Sequence, residues 1–249
     1  MIFRQLFEEL SSTYTYLVGN TETGEALLVD PVLPTWQRDL EVLRDLGLKL
    51  AYTVETHIHA DHITSAKLLK REVGSKIAGP ARDALGCADI GLEEGQPLAL
   101  GGVELQPLHT PGHTDSHLAY VVGDRVLTGD ALLIDGCGRT DFQNGDARAL
   151  FTAVTDKLFS LPDDTLVYPA HDYQGRRVSS IAQEKRRNPR LGGGKTIEEF
   201  IQIMNDLNLP YPKFIDYAVP GNRACGECPD ELPAQLEKYC EDIRDSQQG

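Results

Sequence analysis

The stretch Thr-His-Ile-His-Ala-Asp-His, residues 56–62, constrains this chain more than any other. Four side chains that can bind a metal lie within six positions: His57, His59, Asp61 and His62. The run before them is short, apolar and partly β-branched, and the segment after them has apolar residues at helical spacing up to Gly74. The imidazoles therefore lie on a strand-to-helix loop. Because imidazole and carboxylate are the usual ligands of Zn and Fe, this density predicts a metal site rather than a polar turn capped by Asp61.

Length and charge exclude several classes of protein. A chain of 249 residues with 41% hydrophobic and 25% charged residues is typical of one globular α/β domain, so we expect a single domain over 1–249. No apolar run approaches the roughly 18 residues that span a bilayer, and the N-terminal residues do not resemble a signal or transit peptide. We therefore expect a cytoplasmic protein. A net charge of -14 argues against nucleic acid and anionic membranes as partners.

The cysteines predict free thiols. There are five, an odd number, and they are scattered along a chain without a secretion signal. Cys225 and Cys228 form a lone CxxC pair in a stretch rich in Pro and Gly. With no second pair and no preceding strand, they are interpreted as two surface thiols rather than as a zinc or thioredoxin-type motif.

Hydrophobic periodicity and turn residues give a first outline of the elements. Strands are predicted over residues 2–10, 14–19, 26–30, 50–55, 76–78, 97–108, 118–127 and 165–168, the two longest being broken by hairpin turns at 101–102 and 123–124. Helices are predicted over 34–46, 63–74, 147–161, 178–187 and 196–207. Residues 209–233 are expected to form ordered coil. This order favours sheets covered by helices.

Three more candidate ligands each follow a predicted strand: His113, Asp130 and His171. Each alone would be a weak signal, but together they repeat one arrangement of strand, tight turn and ligand. Five of the seven histidines lie at such places. The other two, His109 and His117, are interpreted as strand-end residues or as hydrogen-bond donors to the ligands.

These motifs resemble those of the metallo-β-lactamase superfamily, in which Thr-His-x-His-x-Asp-His is followed by a distant His, Asp and His. The resemblance covers about the first 175 residues and implies an αββα sandwich, two mixed β-sheets flanked by helices, with a C-terminal extension over 176–249. Residues 129–142, 168–173, 188–191, 208–210 and 218–220 are similar to the persulfide dioxygenases of this superfamily. The glyoxalase II thioesterases are the nearest cousins.

The resemblance implies one Fe(II) per chain, bound by His57, His113 and Asp130. The implied reaction oxidises glutathione persulfide with O2 and water to sulfite and glutathione. His59, Asp61, His62 and His171 would then orient the ligands and solvent. The spacing leaves a second metal open, since the same residues complete the dinuclear zinc site of a glutathione-thioester hydrolase of the glyoxalase II type. The complete ligand set argues against a non-catalytic binding module.

Substrate contacts are inferred from charge and position. Glutathione carries two carboxylates, and Arg is suited to bind them, so Arg139, Tyr173 and Arg176 are the predicted substrate-binding residues. The basic residues of 185–190 are interpreted mainly as a solvated helix face. Cys137 lies near the predicted metal, where its oxidation could tune activity. The resemblance is also compatible with a homodimer and with a rhodanese-type sulfurtransferase as a pathway partner.

Overall fold

Two six-stranded sheets pack face to face in the computed structural model, which describes residues 1–230 together with 232, 234, 237 and 240. The first sheet contains, in spatial order, β1 (Ile2–Glu8), β2 (Thr13–Asn20), β3 (Glu25–Val29), β4 (Lys49–Val54), β5 (Lys76–Pro80) and β6 (Ile90–Leu92). Strands β1 to β3 are antiparallel, and β3 to β6 are parallel. This sheet is therefore mixed.

The second sheet is mixed as well. It contains β7 (Leu98–Leu100), β8 (Val103–His109), β9 (Leu118–Val122), β10 (Arg125–Gly129), β11 (Leu166–Pro169) and β12 (Ser179–Ser180). All neighbours are antiparallel except β10 and β11, which are parallel. Parallel β10 and β11 place their carboxyl ends, and the residues that follow, at the same edge of the sheet.

Helices cover the outer faces of both sheets. The helices of the described residues are α1 (Trp36–Asp45), α2 (Ala66–Val73), α3 (Ala147–Ala153), α4 (Ile181–Arg187), α5 (Ile197–Asn205) and α6 (Ile215–Arg223), the last of which contacts the loop after β4. Leu43 of α1 and Leu69 of α2 pack on the first sheet, whereas Leu150 of α3 and Phe200 of α5 pack on the second. The predicted αββα arrangement is confirmed.

The core between the sheets is formed by the inward side chains of both. Tyr16, Leu27 and Val54 of the first sheet meet Leu105 and Tyr120 of the second in one buried cluster. Alternation along each strand directs these residues inward, because successive side chains of a strand point to opposite faces. The packed pair of sheets gives the loops at its edge a rigid base.

The helix predicted over 147–161 changes its hydrogen bonding halfway. Asp146 caps the start of α3 by accepting from the amide of Ala149. After Ala153 the chain continues as a π-helical turn over Val154–Leu158. The amide of Phe159 donates to the carbonyl of Val154 at 2.8 Å, which is the spacing of that turn. The hydrophobic periodicity of the sequence does not reveal such a turn, because a π-helical turn shifts the helical pattern by only one residue.

The prediction of coil over 209–233 is wrong in its middle, where α6 lies, and residues 231 and 233 lie outside the described residues. Pro220 and Gly221 in α6 indicated a break. Buried Ile215 and Ala218 instead secure the helix, since tertiary packing overrides weak propensity. The pattern also missed β6 and β12, which have three and two residues and are too short for alternation to register.

The prediction of reduced cysteines is wrong for four of the five. Cys87 pairs with Cys225 across 138 residues, and Cys228 pairs with Cys240. Helix α6 carries Cys225 to the loop that holds Cys87, a proximity that sequence spacing cannot indicate. Cys225 is buried rather than a surface thiol. Among the described residues, no helix has the length and apolar character needed to cross a membrane.

Candidate metal centre

Four separate segments bring the candidate ligands to one edge of the sandwich. The loop after β4 carries the first motif, and the turn between β8 and β9 carries His113. Asp130 directly follows β10, and His171 follows β11 by two residues. Gly129 turns the chain with φ +51, where a Cβ would lie 2.4 Å from Nε2 of His117. The close approach of backbone and imidazole there requires glycine.

One group joins His57, His113 and Asp130, whose ligand atoms all lie within 4.8 Å of one another. Nε2 of His113 lies 3.4 Å from Oδ2 of Asp130. Nε2 of His57 and Oδ1 of Asp130 are buried and have no hydrogen-bond partner. Orphaned buried polar atoms are costly, and a metal ion would satisfy both. The donor set therefore fits a metal.

Hydrogen bonds on Nδ1 fix both imidazoles of this group. The hydroxyl of Thr56 donates to Asp30 at 2.9 Å and can thus accept from Nδ1 of His57, also at 2.9 Å. Nδ1 of His113 donates to the carbonyl of Arg139 at 2.7 Å. Each ring therefore presents the lone pair of Nε2 to the group. Burial, reinforced by the neighbouring imidazoles, holds the pKa of His57 well below its usual value.

His117 lies behind this group and accepts a hydrogen bond rather than donating one to a ligand. The amide of Asp130 donates to its Nε2 at 3.1 Å, and its Nδ1 lies 2.8 Å from the hydroxyl of Thr110. Burial lowers the pKa of His117 well below its usual value, so the ring is neutral and able to accept. Its ring stacks on His57 at a centroid distance of 5.0 Å. His109 lies half-buried at the end of β8, outside the group.

A second group of ligand atoms contains His59, Asp61 and His62. Nδ1 of His62 and Oδ2 of Asp61 lie 2.9 Å apart. Burial would raise the pKa of Asp61, but the imidazoles of His171 and His62 hold it well below its usual range. Nε2 of His171 lies 3.6 Å from Asp61 and 3.5 Å from Asp130, so this ring connects the two groups.

His59 faces carboxylates below the loop. Its Nε2 lies 3.0 Å from Asp30 and 3.6 Å from Glu55. Burial lowers its pKa, but the charges of Asp30, Asp61 and Glu55 outweigh burial and raise the pKa of His59 to about 10. The charges around His59 therefore favour the protonated form of its imidazole.

A cleft of about 700 Å³ opens over the first group. Its floor includes His113, Asp130 and His171, and residues 209–215 of the C-terminal extension form one wall. Tyr173 is 75% exposed at the rim, and its ring stacks on His171 with an interplanar angle of 8°. The cleft gives a substrate direct access to His113 and Asp130.

The cationic side chains of the cleft are already engaged within the chain. Arg139 donates to both oxygens of Asp141, at 2.6 and 2.7 Å, and to the carbonyl of Pro210 at 2.8 Å. Arg176 binds Asp172 and Asp135. All three predicted substrate contacts, Arg139, Tyr173 and Arg176, line the cleft. Arg177 does not line it, and Lys185 forms an ion pair with Asp163.

Cys137 borders the cleft but is almost inaccessible, with 2% exposure. Burial raises the pKa of its thiol to about 11, although Arg190 lies nearby. Because the thiolate is the reactive form, this environment argues against the predicted control of activity by Cys137 oxidation.

Comparison with known proteins decides the family. Residues 9–171 match the metallo-beta-lactamase superfamily. The chain belongs to this superfamily. It is 47% identical over 234 residues to the human mitochondrial persulfide dioxygenase ETHE1, covering 91% of this chain and 89% of that protein.

Further relatives place the chain within the superfamily. The crystal structure of ETHE1 from Myxococcus xanthus is 54% identical, with a TM-score of 0.89, over 91% of this chain and 100% of the other. A hydroxyacylglutathione hydrolase from Cereibacter sphaeroides is 34% identical over 73% of this chain and 71% of that protein. The chain is thus a metallo-β-lactamase-fold enzyme of the persulfide dioxygenase family. The human relative is mitochondrial by name, so the cytoplasmic location stays a prediction.

Proposed function

We propose that this enzyme oxidises glutathione persulfide with O2 and water to sulfite and glutathione, and that one Fe(II) bound by His57, His113 and Asp130 supports the reaction. The observation that carries the proposal is the group of two imidazoles and one carboxylate, with orphaned His57 Nε2 and Asp130 Oδ1, of which His113 and Asp130 line the cleft. The 47% identity to human persulfide dioxygenase supports the choice of reaction.

The protein's contribution is to hold this donor set open on the cleft side. When bound in a site of two histidines and one carboxylate, Fe(II) offers redox chemistry and open positions for exogenous ligands. The hydrogen bonds from His57 to Thr56 and from His113 to Arg139 keep both Nε2 lone pairs aimed at one point. The floor then brings two small reactants together, so that proximity replaces a bimolecular encounter.

Two imidazoles, those of His59 and His171, support a single metal. The neighbouring carboxylates raise the pKa of His59, and the charges of Asp130 and Asp61, outweighing burial, raise the pKa of His171. Because ligands must be deprotonated to bind a metal, these rings would have to lose protons before a second ion bound. In the proposed enzyme Asp61 stays a carboxylate between His62 and His171, and these three side chains orient solvent beside the reacting sulfur.

Substrate binding is assigned to the rim of the cleft. A glutathione carboxylate at Arg139 would compete with Asp141, and one at Arg176 would compete with Asp172 and Asp135. Each contact therefore contributes modestly, and Tyr173, which lines the cleft, adds its hydroxyl as a donor. We place the glutathione moiety along this rim, with its sulfur toward Asp130. A sulfurtransferase that supplies the persulfide, and a homodimer, are further parts of the proposal.

The test measures metal and oxygen together. Purified protein loaded with Fe(II) is expected to contain one iron per chain and to consume O2 with glutathione persulfide. His113→Ala and Asp130→Ala should each abolish iron loading and O2 uptake, whereas His59→Ala should retain iron because its side chain belongs to the other group. Equal loss of metal in all three variants would point to a dinuclear site.

One alternative has its own support. The complete second group and the similarity to a hydroxyacylglutathione hydrolase favour a dinuclear zinc thioester hydrolase. That enzyme would bind two zinc ions and hydrolyse a glutathione thioester without O2. An anaerobic assay with S-lactoylglutathione decides between the two, and rapid hydrolysis by the two-zinc protein would reject the dioxygenase proposal.

A further inference from the structure

The loop over residues 57–65 carries metal-ligand candidates but has no regular backbone hydrogen bonding of its own, so its polar groups need partners elsewhere. A single side chain from α6 supplies three of them. Nδ2 of Asn222 donates to the carbonyl of His59 at 2.9 Å and to that of His62 at 2.8 Å. Its Oδ1 accepts from the amide of Thr64 at 2.9 Å. Asn222 is 5% exposed, so water does not replace these bonds readily.

The chemistry of these three bonds requires a short amide. Asn presents two N–H donors and one carbonyl acceptor at the end of one rigid group. Asp would keep the acceptor for Thr64 but would place a second acceptor against the two carbonyls. Loss of a donor opposite a buried carbonyl leaves that carbonyl unsatisfied. The two carbonyls belong to histidines of the second group of ligand atoms.

The residues directly after α6 are held against α2 and against this loop. The carbonyl of Cys225 accepts from the amide of Lys67 at 2.9 Å, and Cys225 is joined to Cys87. Gly226, with φ +97, lies so close that a Cβ would be 2.2 Å from the carbonyl oxygen of Thr64. A backbone this tightly opposed fixes the distance over which Asn222 acts.

We propose that Asn222 is a positioning residue of the metal centre. It lies outside the segment that matches the superfamily, residues 9–171, and reaches back into the metal-binding motif. Asn222 binds the carbonyls of both His59 and His62 and so fixes the backbone conformation of the loop. The backbone conformation in turn sets the directions of the imidazoles of the motif, including that of His57. The inference rests on the metal site of the proposed function but not on which reaction that site performs.

The test compares Asn222→Asp with Asn205→Asp, the same substitution at an exposed position of α5. Metal-free full-length protein is titrated with Co(II) and with Fe(II) in competition with a chelator, at a temperature at which circular dichroism shows each variant to be folded. Asn222→Asp is expected to bind both ions at least about tenfold more weakly, the size of effect typical of residues that orient ligands. The visible absorption of its Co(II) form should also change, whereas Asn205→Asp should match the wild type.

Unaltered metal affinity and an unaltered Co(II) spectrum in folded Asn222→Asp would overturn the proposal. Should that variant not fold, Asn222→Ser, which keeps one donor and one acceptor, is titrated instead, with an intermediate loss expected. Hydrogen exchange of the wild type gives an independent check, because the Thr64 amide should be protected and a free-amide rate would contradict the bond. A wild type that binds metal normally but does not oxidise persulfide rejects the proposed function alone.

Discussion

His117, a neutral histidine behind the metal-ligand candidates, positions Asp130 through a hydrogen bond to the backbone amide of that residue. His117 accepts from the amide of Asp130 and stacks on His57, so it touches two of the three proposed ligands at once. Its low pKa matters here because a protonated ring could not accept that bond. The ligand geometry thus depends on a ring that is not itself a ligand.

Replacing His117 by Phe should weaken metal binding about tenfold or more, because the aromatic ring remains but the amide of Asp130 loses its acceptor. The measurement is Fe(II) affinity by chelator competition. His109→Phe, at the end of β8, serves as the control and should bind iron like the wild type. Equal affinities in the two variants would show that the bond to His117 does not position Asp130.

Arg139→Ala should raise the KM for glutathione persulfide about tenfold, with a smaller change in kcat. The variant loses a cation of the rim and the bond to Pro210 that holds the cleft wall, and hydrogen bonds to charged groups contribute about 1.5–3 kcal/mol. Steady-state O2 uptake measures both constants. Arg148→Ala, exposed on α3, is the matched control, and an Arg139 variant with unchanged KM would remove this residue from substrate binding.

At the scale of the element, α1 contains a buried residue, Asp39, whose surroundings disfavour the charged form of its carboxyl group. Asp39 is fully buried on this helix, with Oδ2 lacking a hydrogen-bond partner and Oδ1 bound to Arg38. Burial raises the pKa of Asp39 to about 6 in spite of Arg38. The folded protein therefore binds a proton here more tightly than the unfolded chain does, and stability falls as pH rises from about 4 to about 6.

Asp39→Asn should therefore raise the free energy of unfolding at pH 7.5 by up to about 3 kcal/mol, the equivalent of roughly two pKa units. At pH 4, where Asp39 is protonated in the folded state, the gain should vanish. Urea unfolding at the two pH values measures the difference. Asp45→Asn, exposed at the end of α1, should show no such dependence; a gain at Asp39 that is the same at both pH values would contradict the shift.

At the scale of the whole molecule, two disulfides tie the C-terminal extension to itself and to the first half of the chain. Cys87–Cys225 spans 138 residues, whereas Cys228–Cys240 spans 12. A crosslink restricts the unfolded chain more when it closes a longer loop. The two bonds are therefore unequal in their expected contribution, and the longer one also fixes the end of α6.

Breaking Cys87–Cys225 by a double Ser substitution should cost about 2 kcal/mol more than breaking Cys228–Cys240 in the same way, as the loop-length dependence gives. Denaturant unfolding of the two double variants without reductant measures this. Adding reductant to the wild type should reproduce the sum of the losses. Equal losses in the two variants would show that chain entropy does not govern these bonds.

The candidate ligand residues could be proposed from the sequence because the chemistry of a metal motif is local, and the fold brings the ligand atoms of His57, His113 and Asp130 within 4.8 Å of one another. The strands before His113, Asp130 and His171 are apolar runs that end in tight turns. These three residues could therefore be recognised as ligand candidates from the sequence alone. What the sequence could not predict depends on contacts between distant segments. Both the disulfide between Cys87 and Cys225 and the hydrogen bond from Asn222 to His59 depend on the position of α6. The sequence did not predict this helix because Pro220 and Gly221 indicate a break.

The position of the wall over residues 209–215 has a practical consequence. A shortened protein that stops at residue 208 would retain every proposed iron ligand, and a search by motif would still score it as intact. Such a fragment would nevertheless lack one wall of the cleft. It would also lack Asn222, which binds the loop over residues 57–65. A design that transfers the proposed activity to a smaller relative therefore needs the C-terminal extension as well as the ligands.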